Sequence, residues 1–448
     1  MSVRLDHVLR MSGVAMLWLG GALAVLGIGY FIPTRPELSL LIGFAVCLFG
    51  LTLMDSAIIP LLMVVPALVS YRIGVGGTDL TVSDAALFVA FFPALIFSQR
   101  PYTPAMRSLI WCGVMYEVLT LFTLVANPYR ANAVEWVHAG LLTVGALVVG
   151  WSIGREGHAR LGLTLILLTC SALAVVVIVQ GLMQYAAADF SAVFPHWPYD
   201  MHKNFAGCLF GIAAAVAYVR PTWVRWPPLF AQACFWVCLV GIAFTQSRQA
   251  MAGLAAALIV IVMRTHNSGR ERRSKVILLA VAAGMGFILV MVRNQVASGN
   301  EFNSFFQRVD WFGQSIRIWE TNPLFGAGLR WWYTDRFETR FQPPSAVLEM
   351  LSTAGLFGLV GFAVLMIGSL VALWRMDARY GLVCFVVVLS RLIQGQLDLF
   401  WVAVQTSIPF LIVGICLGAH GRELADEPPG VGHATEPVSY THLTLPTN

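Results

Sequence analysis

Arg248 and Arg308 are the residues of this chain best suited, by type and setting, to bind a charged group. Arg248 lies in Thr245-Gln-Ser-Arg-Gln249, between two very apolar segments with almost no loop to solvate it. Ionisable groups in such a setting usually face a bundle interior or a cavity, although Arg248 could also snorkel to lipid phosphates from a helix end. Arg308 lies in a long polar stretch, residues 294–344. Two arginines from different elements can bind a diphosphate bidentately and stabilise charge on a departing phosphate.

The long polar stretch is rich in arginine. Six arginines occur from Arg293 to Arg340. They indicate either that an anionic ligand binds there or that their side chains snorkel to lipid phosphates beside an interfacial helix. Apolar residues recur at helical spacing over residues 301–320 and predict an amphipathic helix. They are Phe302, Phe305, Phe306, Val309, Phe312, Ile316 and Trp319. Arg308 and Arg317 would lie roughly 180° apart on this helix, at about 100° per residue, so at most one of them contacts a ligand.

Further polar residues lie at the ends of apolar segments. His202, Lys203 and Asn204 open one segment; a neutral imidazole suits proton abstraction near pH 7, and the amide could bind a substrate oxygen or join helices. Glu349 lies one turn into a predicted helix, where the helix dipole favours negative charge. Asp398 follows another segment and could orient a substrate or cap the last helix. We treat all five as candidate site residues.

The composition indicates that a membrane-embedded scaffold positions these residues. Of the 448 residues, 58% are hydrophobic and 11% are charged, against about 25% charged in a soluble domain. Apolar runs of about the 20 residues that a bilayer demands recur from Met11 to Gly418. Runs such as the one from Leu161 to Gly181 are apolar throughout, which excludes the alternating strands of an outer-membrane barrel. The predicted fold is therefore an all-α, polytopic transmembrane bundle.

The apolar runs predict roughly 12 to 14 helices that cross the membrane. The third run contains Pro60 and Pro66, so a buried or re-entrant segment could mimic a crossing there. The candidate spans are residues 11–31, 38–54, 56–71, 80–97, 107–127, 134–153, 161–184, 204–219, 228–244, 249–263, 276–292, 346–374, 379–394 and 400–419.

The distribution of basic residues predicts the topology. With the N-terminus in the cytoplasm, most lysines and arginines fall in cytoplasmic loops and the short outer loops keep few, as the positive-inside rule expects. Both termini are then cytoplasmic, and Arg248 faces the outside. We expect residues 1–293 and 345–420 to form the two parts of the bundle, and residues 294–344 to form an outer loop with an amphipathic helix. Residues 421–448 read as a disordered tail whose end resembles vector-derived sequence.

Four short pieces of the chain between Asp200 and Gly358 form a pattern. The pieces are His202-Lys-Asn-Phe-Ala-Gly207, Ser247-Arg248, Arg308 followed by Asn322-Pro-Leu-Phe-Gly-Ala-Gly328, and Leu348-Glu-Met-Leu-Ser-Thr-Ala-Gly-Leu-Phe-Gly358. In order, spacing and predicted sidedness this pattern resembles the O-antigen ligase and O-antigen polymerase superfamily of bacterial envelope glycosyltransferases.

The resemblance implies a GT-C-like, metal-independent glycosyltransferase in the bacterial inner membrane, with its active site facing the periplasm. The implied donor is a glycan on undecaprenyl diphosphate. The implied acceptor is a lipid core for a ligase, or another lipid-linked glycan for a polymerase. Arg248 and Arg308 match the family arginines thought to hold the diphosphate. Membrane lipids are the other expected partners, and neither a cofactor nor a nucleic acid is expected.

The chain departs from the family where the base would lie. The family usually carries His-Asn four residues before the leucine that matches Leu348, as the base that activates the acceptor hydroxyl. This chain has Pro344-Ser345 there, which leaves the base open. His202 is a candidate substitute for the base, and His196 and His138 are further candidates.

For several other residues, a structural role is the alternative to a role in a functional site. Asp84 opens a segment after a glycine turn, which is typical of a helix cap. The aromatic residues Trp311, Trp331, Trp332 and Tyr333 could stack on sugar rings, but aromatic side chains are also common at membrane interfaces.

A transporter or flippase of lipid-linked oligosaccharides is the rival interpretation, because it also needs about a dozen helices with polar residues in the bundle. Transporters tend to show internal repeats and broken helices at the bilayer midplane. No repeat is apparent here, and the unusual polar residues cluster at the predicted outer face instead. This pattern favours the transferase.

Overall fold

The computed structural model of the chain describes residues 20–426, apart from 24, 34, 74–79, 268–276, 298–303 and 339. The described residues form helices and no β-strand, with one isolated bridge between Arg72 and Thr81. The predicted all-α polytopic class is confirmed. The start of the first predicted span, at 11–19, and the tail beyond 426 lie outside the described residues.

The helices are numbered in chain order. They are α1 (Gly20–Phe31), α2 (Pro36–Met54), α3 (Ile58–Leu62), α4 (Val82–Phe97), α5 (Pro104–Ala126), α6 (Arg130–Gly140), α7 (Ala146–Arg155), α8 (Ala159–Ala186), α9 (Lys203–Val219), α10 (Pro228–Thr245), α11 (Arg248–Asn267), α12 (Ile277–Ala297), α13 (Ser304–Glu320), α14 (Ala346–Ala363), α15 (Ser369–Trp374), α16 (Ala378–Gln396) and α17 (Ala403–Asp426). A π-helical turn joins α6 to α7 and another joins α14 to α15, so each pair continues as one long helix.

Eight of the described helical segments are long and apolar enough to cross a membrane. The helices α1, α4 and α9 are shorter but also apolar. The segment with Pro60 and Pro66 is broken, as its prolines indicate: α3 ends at Leu62 and a 3₁₀ turn, Pro66–Leu68, follows. Proline removes a backbone donor and clashes with the preceding turn, which ends a regular helix.

The two helices α7 and α17 form the centre of the bundle. Gly150 and Gly154 of α7 face Gly414 and Gly418 of α17, and a Cβ atom at any of the four positions would collide with the backbone of the other helix. Glycines spaced four apart let two membrane helices approach this closely. Accordingly, 89% of the most apolar window of α17 is buried, against 12% for α2 at the periphery.

The last helix is longer than the sequence predicts. We expected the bundle to end at residue 420, but α17 continues to Asp426. Arg155 donates a hydrogen bond to the Gly421 carbonyl, and Arg379 pairs with Glu423 at 2.6 Å. These contacts with neighbouring helices hold the final turns, which the polar local sequence alone does not indicate.

The helix α13 confirms the predicted amphipathic helix, but its buried face differs from the predicted stripe. Val309 and Ile316 are 52% and 41% exposed. The buried side holds Ser315 and Ile318, and Trp311 stacks on Phe341 with ring centroids 5.6 Å apart. The helix therefore packs on its own loop with one face and presents part of its apolar stripe outward, where an interfacial helix would contact lipid.

Candidate functional site

The first turns of α9 and α11 lie side by side and place Lys203 next to Arg248. Gly207 packs so closely on Ser247 that a Cβ atom there would collide with the serine. The Gln249 side chain donates a hydrogen bond from Nε2 to the Asn204 carbonyl at 3.1 Å. Lys203 and Arg248 are the first residues of their helices. Two helix N-termini, each the positive end of a helix dipole, therefore meet at one place, a favourable setting for an anion.

The helix α13 brings Arg308 to the same place. Arg308 donates a hydrogen bond from Nη1 to the Leu397 carbonyl at 2.6 Å, in the loop between α16 and α17. The charge of Arg308 acts on Arg248, and the charges of both arginines and of Asp398 act on Lys203. We call Lys203, Arg248, Arg308 and Asp398 the cation cluster. All four are partly exposed, so a ligand can reach them while much of their surroundings is protein.

His202 lies beside the cation cluster as the N-cap of α9. Its Nδ1 accepts a hydrogen bond from the Asn204 N–H at 3.3 Å, and its ring packs edge-on to Phe194 with centroids 5.5 Å apart. Loss of water around the ring lowers the pKa of His202, with the Lys203 charge acting in the same direction and the Asp398 charge opposing it. A neutral ring that accepts at Nδ1 carries its proton on Nε2. The Nε2–H of His202 can therefore donate a hydrogen bond to a nearby acceptor.

The other candidate histidines are arranged differently. His138 is held at both ring nitrogens, with Nε2 2.9 Å from Asp84 and Nδ1 3.1 Å from Glu135, so it has no nitrogen left to abstract a proton. The hypothesis that His138 is the base is therefore wrong. His196 is an exposed residue whose Nδ1 lies 2.8 Å from Asp200.

The family's base position lies next to the loop that carries Asp398. Ser345 occupies the N-cap position of α14 without a side-chain capping bond, and its hydroxyl lies 3.5 Å from Oε1 of Gln396, two residues before Asp398. Glu349 is 1% exposed, and its Oε1 accepts a hydrogen bond from Gln342 at 2.7 Å. Its carboxylate is thus enclosed by protein in this structure. Asp398 is the partly exposed carboxylate at this position.

Two of the sequence pieces interlock through their backbones. Gly326 and Gly355 have positive φ angles of 69° and 63°, and a Cβ atom on either would collide with the backbone of the opposite piece. The break in α14 at Gly355 frees the Leu356 N–H, which donates to the Pro323 carbonyl at 2.9 Å. In return, the Ala327 N–H donates to the Ser352 carbonyl at 2.9 Å. These pieces thus fix the end of α13, and hence Arg308, against α14.

A second polar cluster lies at the junction of α4, α6 and the segment after α13. Arg330 forms a salt bridge with Glu135 at 2.6 Å, Glu135 also contacts His138, and His138 contacts Asp84. Asp84 and Thr81 form a capping box at the start of α4, so the predicted cap is confirmed. We call these residues, Asp84, Glu135, His138 and Arg330, the paired cluster.

The remaining candidates lie apart from the cation cluster. Arg317 is exposed on α13. Trp331 and Trp332 are 0% and 9% exposed and form a small core with Ile318 and Ala327, so the hypothesis that they stack on sugars is wrong. Among the described residues, no three His, Cys, Asp or Glu side chains are arranged to hold a metal ion.

The contacts of three charged residues were not predicted from the sequence: Glu135 and Arg391, which are buried, and Arg330, whose side chain is 16% exposed. Arg391 is 0% exposed inside the bundle. The available signal was an ionisable residue within an apolar span, which holds for Glu135 and Arg391. Arg330 gave no local signal because its partner Glu135 lies 195 residues away in sequence.

Fold and site together define a class: a polytopic, all-α membrane protein with cations gathered at one end of its bundle. Residues 233–363 match the family model described as O-antigen ligase, which supports the resemblance of this part of the chain to the O-antigen ligase and polymerase superfamily. The match includes Arg248, Arg308 and both interlocking pieces. No curated protein matches the chain. The family and the apolar helices together indicate a multi-pass inner-membrane enzyme of the glycan ligase or polymerase type.

Proposed function

We propose that this protein transfers a glycan from undecaprenyl diphosphate to a lipid core or to another lipid-linked glycan, at the periplasmic face and without a metal ion. The observation that carries the proposal is the cation cluster. Lys203, Arg248 and Arg308 come from three separate helices and converge around Asp398.

The charges suit a diphosphate that becomes a leaving group. An arginine guanidinium binds two phosphate oxygens in a planar, bidentate arrangement, and Lys203 adds a compact charge. When the bond between the sugar and the diphosphate breaks, the departing oxygen gains negative charge, which preorganised cations stabilise. In this proposal the protein cations do the work that a divalent metal does in other transferases.

We assign the acceptor side of the reaction to Asp398. The acceptor hydroxyl oxygen forms the new bond to the anomeric carbon, the bond from that carbon to the diphosphate oxygen breaks, and the hydroxyl proton passes to the Asp398 carboxylate. The Nε2–H of His202 donates to a phosphate oxygen. Support for Asp398 comes from its position, two residues after Gln396, which lies beside Ser345, the neighbour of Pro344, where the family carries its base.

The periplasmic placement is supported by the charge pattern of the chain. With the cation cluster outside, the loops at the opposite end of the bundle hold most of the remaining basic residues and become cytoplasmic. Accessibility of Cys residues introduced in the loops after α9 and α13, probed with a membrane-impermeant thiol reagent on intact cells, tests this placement.

Transfer from a synthetic polyprenyl-diphosphate oligosaccharide tests the proposed reaction. The assay uses purified protein with EDTA, and with lipid core and lipid-linked glycan as alternative acceptors. We expect transfer by the wild type and a loss of roughly 100- to 1,000-fold in Arg248→Ala and Arg308→Ala. Arg340→Ala is the matched control, because Arg340 is an exposed arginine of the same loop paired with Asp335. If the wild type moves intact donor across vesicles but transfers nothing, the flippase takes the place of this proposal.

A further inference from the structure

Arg391 is a charged side chain buried in the bundle close to the cation cluster. It lies on α16 and is 0% exposed. Its Nη2 donates to the Leu399 carbonyl at 2.9 Å and to the Phe400 carbonyl, and its Nη1 donates to Gln405 Oε1 at 3.2 Å. The guanidinium also lies over the Phe400 ring, 4.7 Å from its centroid.

Three of these contacts converge on one short loop, residues 397–402, between α16 and α17, whereas Gln405 lies in the first turn of α17. Arg391 binds the loop from inside the bundle, whereas Arg308 binds the Leu397 carbonyl of the same loop from α13. The loop also carries Asp398, whose charge acts on Arg391. The position of this loop therefore sets both the orientation of Arg308 and the place of the Asp398 carboxylate.

Burial of a guanidinium has a large unfavourable free energy of desolvation. Neutral carbonyl partners offset this free energy only in part, and a well-packed apolar residue usually stabilises a core more. Ionisable side chains inside membrane bundles are accordingly rare and mark functional places. A planar guanidinium, however, can hold several acceptors in fixed directions at once, which no apolar side chain can do.

We propose that Arg391 is a positioning residue for the cation cluster: its guanidinium fixes the loop at residues 397–402, and through it Arg308 and Asp398. The consequence for transfer rests on the proposed function, whereas the effect on the loop does not. Arg391 acts through the loop and contacts neither substrate.

The chain offers a matched control at the opposite end of α16. Arg264 donates hydrogen bonds from Nη2 to the Trp374 and Met376 carbonyls, both at 2.9 Å, and lies 4.5 Å from the centroid of the Trp374 ring. Arg264, like Arg391, contacts two backbone carbonyls and an aromatic ring. It holds the turn before α16, however, at the end of the helix that is remote from the cation cluster.

The test compares Arg391→Lys with Arg264→Lys in nanodiscs by hydrogen exchange and by transfer kinetics. The Leu397 N–H donates to the Gln394 carbonyl at the end of α16, and the Val402 N–H donates to the Phe400 carbonyl within the loop, so exchange at these two amides reports the order of the loop. We expect Arg391→Lys to speed exchange at 397–402 by at least about tenfold and to lower kcat by roughly 10- to 100-fold, because lysine lacks the planar fork. Arg264→Lys should change neither. Combined with Arg308→Lys, Arg391→Lys should cost less than the product of the two single effects.

Gln405→Met is a second variant, for use if Arg391→Lys fails to fold. It keeps the arginine and removes one of its acceptors, so we expect a smaller increase in hydrogen exchange of the loop. Unchanged exchange and unchanged kcat in the folded variants would overturn the proposal. Multiplicative costs with Arg308→Lys would also overturn it, since they indicate an independent structural effect. If the wild type transfers nothing, the proposed function fails, but loop exchange still decides whether Arg391 positions the loop.

Discussion

The two polar clusters at this end of the bundle contain similar residue types but combine them differently. In the paired cluster each charge meets an opposite one at 2.6 to 3.1 Å: Arg330 with Glu135, and His138 with Glu135 and Asp84. The cation cluster gathers three cations and one carboxylate among the described residues, and these side chains are partly exposed. Neutralised, buried charges hold helices together, whereas gathered and accessible cations are suited to an anionic ligand.

Glu135→Gln should have the largest effect on stability. The substitution leaves the side chains of Arg330 and His138, which are 16% and 10% exposed, without the carboxylate between them, which costs about 3–5 kcal/mol. Denaturant unfolding in detergent micelles measures this loss. Transfer per folded molecule should stay near the wild-type rate. A loss of transfer without a loss of stability would instead place the paired cluster in the chemistry and remove the contrast between the clusters.

Asp398→Asn should act on the rate instead of on stability. The amide keeps the size of the side chain but accepts a proton poorly, so kcat with saturating donor should fall by roughly 100-fold. Asp335→Asn, at an exposed aspartate of the long loop, is the control and should leave kcat unchanged. If Asp398→Asn keeps its kcat, another group receives the proton.

Gly355→Ala should disturb the frame that carries Arg308. A left-handed backbone with a side chain costs about 1–3 kcal/mol, and the new Cβ would collide with the backbone at Leu324. Lower unfolding stability and weaker transfer should therefore appear together. The control is Gly313→Ala on α13, where nothing lies within 4 Å of the added carbon. Unchanged stability and transfer in Gly355→Ala would mean that the backbone contact between the pieces that contain Gly326 and Gly355 is not rigid.

The smallest expected effect is the pH dependence of the cap at His202. Its pKa is lowered from 6.5 in the folded protein, so its contribution to stability is fully present above pH 6.5 and is lost as the pH falls through the lowered pKa. His202→Asn keeps a capping side chain that does not titrate. Between pH 7 and pH 5 the wild type should lose less than about 1 kcal/mol relative to this variant, since the ring is partly exposed. Parallel pH profiles would show that His202 does not cap α9 by its neutral form.

Much of the fold follows from local sequence, because each membrane helix must satisfy its own backbone hydrogen bonds. Apolar runs predicted the all-α polytopic class, with eight described helices long and apolar enough to cross a membrane, and Pro60 and Pro66 indicated the break after α3. The buried face of α13 did not follow, because periodicity shows that a helix is amphipathic but not which neighbour covers it. Val309 faces outward while Trp331 is covered by Ile318 and Ala327.

The candidate site was predictable in part. Arg248 was identifiable from its place between two very apolar segments with almost no loop, and Arg308 and Lys203 from the family pattern. Their convergence depends on contacts distant in sequence, such as Gly207 on Ser247 and Arg308 on Leu397. The Glu135–Arg330 pair is of the same kind. No local pattern encodes such contacts, since they form only when the helices pack.

The most direct test of the account is binding of synthetic undecaprenyl diphosphate to wild type, Arg248→Ala, Arg308→Ala and Glu135→Gln in nanodiscs with EDTA. A hydrogen bond to a charged group contributes about 1.5–3 kcal/mol, so each arginine variant should bind roughly 10- to 100-fold more weakly, while Glu135→Gln should bind like the wild type. Equal binding by the wild type and both arginine variants would contradict the claim that the cation cluster holds the diphosphate.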